Sequence, residues 1–258
     1  MTKFSKSDWI FLFVIFLVFG QPLLIMYKDI EYILGVLLLL SVFLLLDKNK
    51  KNNKDKIIMG KADSQFKNKY FFLRHGQNVH QAEYPDIIYL WPDGNPPYSL
   101  TELGKEQAQQ AGEKLKKDGI NRIFSSDILR CRETAKIVAG VIGYNINDII
   151  YDTRLRDLNW GDFGGKTKEE YWAFYGDDHM KAFDLPAPGG ESWNQCRERA
   201  VKLLQEIEEE FSGECILIVS HGDLLWLLEG YMRGRDDRTL LEERGKIYPG
   251  TGEVKEIS

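Results

Sequence analysis

Four histidines occur in the 258 residues, and two of them stand in matching contexts. Each directly follows a short apolar run and precedes a glycine: Arg74-His75-Gly76 after residues 70–73, and His221-Gly222 after residues 215–219 and Ser220. A third run, residues 120–124, ends at Ser125-Ser126, with Arg130 four residues past Ser126. A neutral imidazole is a nucleophile, and a guanidinium fork matches paired anionic oxygens. Histidines flanked by arginines are therefore suited to holding and attacking an anion. Glycine after each histidine removes a Cβ, which would let backbone N–H groups approach that anion. One such histidine could be a satisfied core residue. Two in the same setting, with arginines beside them, point to a site.

The elements around these residues must bring them together. Residues 101–118 have helix composition, a Thr101 start and a Gly119 stop. Residues 127–142 read as a helix with Ile128, Cys131, Ala135 and Val138 on one face, and residues 192–211 as a long amphipathic helix. Residues 224–231 turn helical after the strand at 215–219. Strands separated by helices predict a three-layer α/β/α domain with a mostly parallel sheet. Ligands bind such sheets beyond the carboxyl ends of the strands. Three strands ending in RHG, SSD and SHG thus put His75, residues 125–130 and His221 on one rim, and Arg130 lies one helical turn from it.

The ordered set RHG, SSDILR and SHG, with LRDLNWGDFGG between the last two, resembles the histidine phosphatase (phosphoglycerate mutase-like) superfamily. RHG alone is a weak signal; SLTELGKEQA, SSDILRCRETA, PGGES and VSHGD in the same order make it specific over residues 69–258. The resemblance implies that His75 attacks phosphorus and carries a phosphohistidine, while Arg74, Arg130 and His221 hold the equatorial oxygens. A leaving alkoxide needs a proton. The family usually has Glu in a pattern like L-x-E-x-x-x-G-x-x-x-G, and here Asp157 takes that place, one methylene shorter. Glu83 and Asp86, on the loop after RHG, are the alternative acids. Where many members have Asn after RHG, this chain has Gln81, which keeps an amide donor for phosphate on a longer arm. His80 resembles the histidine of an RHGQ-x-x-HN subgroup and reads as structural. Glu191 of PGGES either faces the site or holds a turn; Trp160, Trp172 and Trp193 read as core or loop aromatics. No HExxH, Asp-rich loop or Cys/His cluster is present, so the expected mechanism uses no metal and no cofactor. The expected activity is hydrolysis of a phosphorylated small molecule or phosphoprotein. A mutase is the runner-up, disfavoured because that branch generally has a longer domain than these 190 residues. A non-catalytic phosphate-binding scaffold is the third reading, supported only by the Asp157 and Gln81 departures.

Charge and cysteines narrow the setting. Residues 1–68 carry ten lysines against six acids, whereas residues 69–258 are net −9. So acidic a domain is a poor nucleic-acid binder. Cys131, Cys196 and Cys215 are odd in number and far apart, which fits structural thiols and no disulfide framework. Residues 9–27 and 32–46 are uncharged runs of 19 and 15 residues, the second reaching 17 with Ile30 and Glu31 at the interface. About 20 residues span hydrocarbon as a helix. The expected arrangement is a membrane anchor over 1–46 (hydrophobic helices at about 9–27 and 30–46, a transmembrane hairpin contacting lipid), a basic linker over 47–68 and the catalytic domain over 69–258. Lysines cluster before the first run and after the second, so the positive-inside rule turns the catalytic domain toward the cytoplasm. A single span with the other segment lying in the interface is the main rival, and a signal peptide a lesser one. The sequence carries no reading of the oligomeric state.

Overall fold

A strand of consecutive apolar residues must be covered on both faces. In the computed structural model, which describes residues 66–94 and 97–257, β1 (Lys69–Arg74) and β4 (Cys215–Ser220) are both of this kind, with four and five successive buried residues. They pair in parallel with Arg74 opposite Ser220. β2 (Arg122–Ser125) pairs with β4 in parallel, Ser125 opposite Val219, and β3 (Ile150–Tyr151) lies parallel to β2. β5 (Val254–Ile257) runs antiparallel along β1, giving the order β3-β2-β4-β1-β5. The sheet is mostly parallel, as expected, with one antiparallel edge.

Nine helices accompany it among the described residues: α1 (Val79–Glu83), α2 (Glu102–Leu115), α3 (Leu129–Ile142), α4 (Lys168–Tyr175), α5 (Lys181–Asp184), α6 (Trp193–Glu210), α7 (Gly222–Met232), α8 (Asp237–Glu242) and α9 (Arg244–Ile247). Alternate strand residues point to opposite faces. Phe71, Leu73, Ile123, Leu217 and Val219 pack with Ala111 and Leu115 of α2 and with Cys131, Ala135 and Val138 of α3. Tyr70, Phe72, Phe124, Ile216 and Ile218 pack with Trp193, Ala200 and Leu204 of α6 and with Leu224 and Trp226 of α7. These two apolar layers make the three-layer domain.

Helix ends follow local chemistry. Thr101 accepts the Gly104 N–H and opens α2, and Ser192 and Gln195 close a reciprocal cap on α6. Gly143, at φ +76°, stops α3 in a left-handed conformation open to glycine. The start of α3 is later than its sequence pattern implies. Ile128 offers no side-chain cap, and the Leu129 N–H is taken at 3.2 Å by the carboxylate of Asp93, from the distant loop between α1 and α2.

The expected hairpin at 9–46 and most of the 47–68 linker lie outside the described residues. Among the described residues, no helix is long and apolar enough to cross a membrane.

Candidate active site

The β1–β4 register continues one residue past both strands. His75 N–H donates to the Ser220 carbonyl at 3.0 Å, and the His75 and His221 rings stand 5.2 Å apart between centroids. Nδ1 of His75 donates to the Gly76 carbonyl at 2.8 Å, which commits the ring proton there and leaves the lone pair on Nε2. Nε2 accepts from Arg130 Nε at 3.3 Å. Burial first, then the Arg130 and Arg74 charges, hold the His75 pKa well below the ordinary imidazole value. The ring is neutral near neutral pH, the nucleophilic form of an imidazole.

Arg130 is fully buried in the first turn of α3. Its side edge, Nε and Nη2, is turned to the histidines, with Nη2 donating to His221 Nδ1 at 3.0 Å. Its Nη1 pairs with Asp93 at 3.2 Å, and its plane lies 4.7 Å from the Tyr89 ring. His221 accepts at Nδ1, so its proton is on Nε2, 3.0 Å from Ser126 Oγ. Burial and then Arg130 lower its pKa well below the usual value. Arg74 Nη1 donates to the Pro249 carbonyl at 2.8 Å, while its Nε is buried with no hydrogen-bond partner among the described residues. A buried unpaired donor is costly. An anion beside His75 would relieve it.

A cavity of about 710 Å³ opens over this rim. Arg74, His75, Gln81, Arg130 and Asp157 all line it; His221 does not, being wholly buried behind His75 and Arg130. Asp157 is buried, and burial, then the nearby charge of Asp223, lift its carboxyl to about 6, against the opposing pull of Arg130 and the Tyr89 hydroxyl. Such a carboxyl can hold and release a proton near neutrality. Glu83 and Asp86 are exposed and are not among the cavity walls. Glu191 faces away, accepting from Arg199 Nε at 2.9 Å and from the Asn159 N–H at 3.1 Å. Gln81 spends its side-chain oxygen on the Asn78 N–H, closing the cap of α1, which leaves its NH₂ as the available donor. His80 sits among the Tyr84, Tyr89 and Tyr98 rings and also lines the cavity.

The two glycines have a different role from the one their sequence suggests. A Cβ on Gly76 would stand 2.2 Å from the Gly104 carbonyl, and one on Gly222 would stand 2.3 Å from the Tyr248 hydroxyl. The Gly76 N–H is spent on Thr134 Oγ1 at 3.1 Å. At Gly76, close packing against the Gly104 backbone, not an open N–H, requires glycine; at Gly222 the missing Cβ makes room for the Tyr248 side chain.

Several site residues are not apparent from spacing. Asp223, one residue past the second glycine, shares the cavity but is bound by Arg244 Nη2 at 2.7 Å and by the Tyr248 hydroxyl at 3.2 Å. VSHGD contains it, yet nothing in the chain marks its partner, 21 residues on. Arg199 of α6 binds the Arg154, Arg156 and Asp157 carbonyls at 2.6, 2.6 and 2.7 Å, fastening the loop that carries Asp157. Trp160 and Trp172 line the cavity, whereas Trp193 is core. Among the described residues, no cluster of His, Cys, Asp and Glu could hold a metal ion.

Comparisons with known proteins identify the family. Residues 70–244 match the histidine phosphatase superfamily (branch 1). The 2,3-bisphosphoglycerate-dependent phosphoglycerate mutase of Parvibaculum lavamentivorans is 29% identical over 161 residues, 59% of this chain and 74% of that protein. Phosphoglycerate mutase-like protein 4 of Arabidopsis thaliana is 31% identical over 180 residues, 66% of this chain and 73% of that protein. Among solved structures, YhfR of Bacillus stearothermophilus is similar with a TM-score of 0.59 at 28% identity, over 72% of this chain and 89% of that one. A mycobacterial glucosyl-3-phosphoglycerate phosphatase, solved with inorganic phosphate, gives 0.59 at 27% identity over 74% and 89%.

Proposed function

The chain belongs to the histidine phosphatase superfamily, branch 1, and from that premise we propose that it is a metal-independent phosphomonoester hydrolase working through a phosphohistidine on His75. The observation that carries this reading is the state of that ring. Its Nδ1 proton is committed to Gly76, and its Nε2 lone pair sits beside Arg130 Nε at the cavity wall.

In the first half-reaction His75 Nε2 forms a bond to phosphorus as the P–O bond to the leaving group breaks. Asp157 gives its proton to the departing oxygen. Arg74 and Arg130 take the charge of the equatorial oxygens, a stabilisation that strengthens in a water-poor site. His221, behind them, orients Arg130 through its Nδ1. Gln81 offers its amide from the cavity wall. In the second half-reaction Asp157, now a carboxylate, takes a proton from water as that water attacks phosphorus. The N–P bond breaks, inorganic phosphate leaves and the Nε2 lone pair returns. The substrate is a phosphorylated small molecule or a phosphorylated protein side chain. We further propose that residues 9–46 tether this domain to a membrane on its cytoplasmic side, a reading supported by the two uncharged runs and the lysines around them.

The names of the curated relatives favour a second reading, return of the phosphoryl group to a sugar acid. One experiment separates the two. The enzyme is labelled with ³²P-phosphoryl donor, quenched to detect an acid-labile phosphohistidine, then chased with and without 3-phosphoglycerate. Hydrolysis predicts label in inorganic phosphate in both chases and none in His75→Ala. Label passing mainly to 3-phosphoglycerate would replace hydrolase with mutase; no label at all in the parent protein would leave only a binding role.

A further inference from the structure

The loop between α1 and α2 sends two side chains to opposite parts of the site, and neither belongs to the RHG, SSD or SHG motifs. Asp93 bridges two groups of α3: its Oδ2 accepts the Leu129 N–H at 3.2 Å and its Oδ1 pairs with Arg130 Nη1 at 3.2 Å. It therefore caps the helix and grips the arginine at that helix's start with one carboxylate. The grip falls on Nη1. The Nε and Nη2 edge remains turned to His75 and His221, where an oxygen of a phosphoryl group on His75 would have to lie. A guanidinium has several torsions to lose on binding, and a carboxylate on its far edge removes that freedom beforehand. Tyr89, four residues earlier, lies under the same guanidinium at 4.7 Å. Its hydroxyl accepts from Trp160 Nε1 at 3.2 Å, and Tyr89, Trp160 and Asp157 share the cavity wall. One loop thus touches both the oxygen clamp and the proton donor.

Resting on the phosphoryl-transfer reading of this site, we propose that Asp93 and Tyr89 are positioning residues. Asp93 fixes the Arg130 edge that the phosphoryl group does not use, and Tyr89 ties that guanidinium to Asp157, so that clamp and acid are set together. The charged and titratable groups around Asp157 are Arg130, which favours the carboxylate, Asp223, which opposes it, His221 (Nδ1 at 3.9 Å), Arg199, Tyr248 and the Tyr89 hydroxyl, which favours the carboxylate without carrying a charge.

The test uses the full chain and two readouts. Orthovanadate inhibition reports the oxygen clamp. Asp93→Ala should weaken it about 10- to 100-fold, the loss expected when a charge-assisted bond orders a binding group, while Asp93→Asn, which can still accept from Arg130, should recover most of the effect. The second readout is the pH dependence of kcat/KM on an alkyl phosphate. Asp157 must be protonated to act, so the rate falls as pH rises through its pKa. Tyr89→Phe removes the hydroxyl from the cavity wall it shares with Asp157 and should move that falling limb to higher pH, a change that mere loosening of the loop would not produce. Folded Asp93→Ala with vanadate inhibition within threefold of the parent would overturn the first half. An unmoved limb in Tyr89→Phe would overturn the second, and remains measurable even if Asp93→Ala does not fold. A parent enzyme that neither binds vanadate nor turns over p-nitrophenyl phosphate would instead overturn the phosphatase reading on which both halves rest.

Discussion

Replacing Asp157 by Asn keeps shape and removes the proton, and its effect should depend on pH in a way the burial of this carboxyl dictates. With its pKa lifted to about 6, roughly nine-tenths of the enzyme carries the proton at pH 5 and roughly one-tenth at pH 7. General acid catalysis supplies about 10²–10⁴-fold on a poor leaving group. On an alkyl phosphate the parent-to-variant ratio of kcat/KM should therefore lie in that range at pH 5 and shrink about tenfold by pH 7. Ionisation of the substrate phosphate affects both enzymes alike and cancels in the ratio. His75 cancels as well, because its pKa is held well below the ordinary imidazole value by burial and by Arg130 and Arg74. With p-nitrophenyl phosphate, whose leaving group departs without a proton, the burst of phosphoryl transfer should show a much smaller ratio at both pH values. The assay is a stopped-flow burst and steady-state comparison of parent and Asp157→Asn on both substrates. A ratio that is equal for the two leaving groups, or flat between pH 5 and 7, would refute Asp157 as the acid. A leaving-group-dependent loss in Glu83→Gln would move the role to the exposed loop.

Activity on p-nitrophenyl phosphate should survive EDTA, since Arg74 and Arg130 supply the charge a cation would otherwise provide at the oxygens; loss on chelation with recovery by a divalent ion would defeat the mechanism. Arg199→Met should lower stability by about 3 kcal/mol, because it strips Glu191 of its partner and three carbonyls of a donor. In addition, this variant should lose more activity on alkyl than on aryl phosphates, as read by chemical denaturation and paired kinetics. Full-length protein should stay in the membrane pellet after carbonate washing while residues 62–258 remain soluble; recovery of the full chain in the supernatant would remove the anchor.

What was legible in the sequence was whatever depends on local pattern. Consecutive apolar residues marked β1, β2 and β4, and the polar residues at their ends marked a common rim, since in a parallel sheet those ends meet. The register Arg74 opposite Ser220 makes His75 and His221 neighbours for that reason. What was not legible is carried by tertiary pairing. β3 is two residues long and β5 places Lys255 and Glu256 between Val254 and Ile257, so neither has an apolar run to announce it. Asp93, Arg199 and Arg244 act across 37, 42 and 21 residues, on Arg130, Asp157 and Asp223. No spacing rule reaches that far. The glycines after each histidine stand out in the sequence, and packing adds a reason no spacing shows: their missing Cβ atoms make room for Gly104 and Tyr248.

The same logic explains how a side chain as short as that of Asp157 reaches the cavity. Asp157 has one methylene fewer than glutamate, so its loop must bring the backbone to the cavity. Two motifs separated in sequence do this together. Gly161, at φ +57°, and Gly190 of PGGES bring two backbones into contact: a Cβ on Gly161 would lie 2.1 Å from the Pro188 carbonyl, and one on Gly190 would lie 2.4 Å from the Asn159 carbonyl. The Asp162 N–H donates to Pro188 at 2.8 Å and the Glu191 N–H to Asn159 at 2.8 Å, so the loops are laced by backbone bonds that only glycine permits. Glu191 then holds Arg199, whose Nη2 donates to the Asp157 carbonyl itself. PGGES therefore contributes to the site without entering it. Its carboxylate acts through an arginine on the backbone of Asp157, and the Asp157 side chain is left to face the cavity from a fixed point.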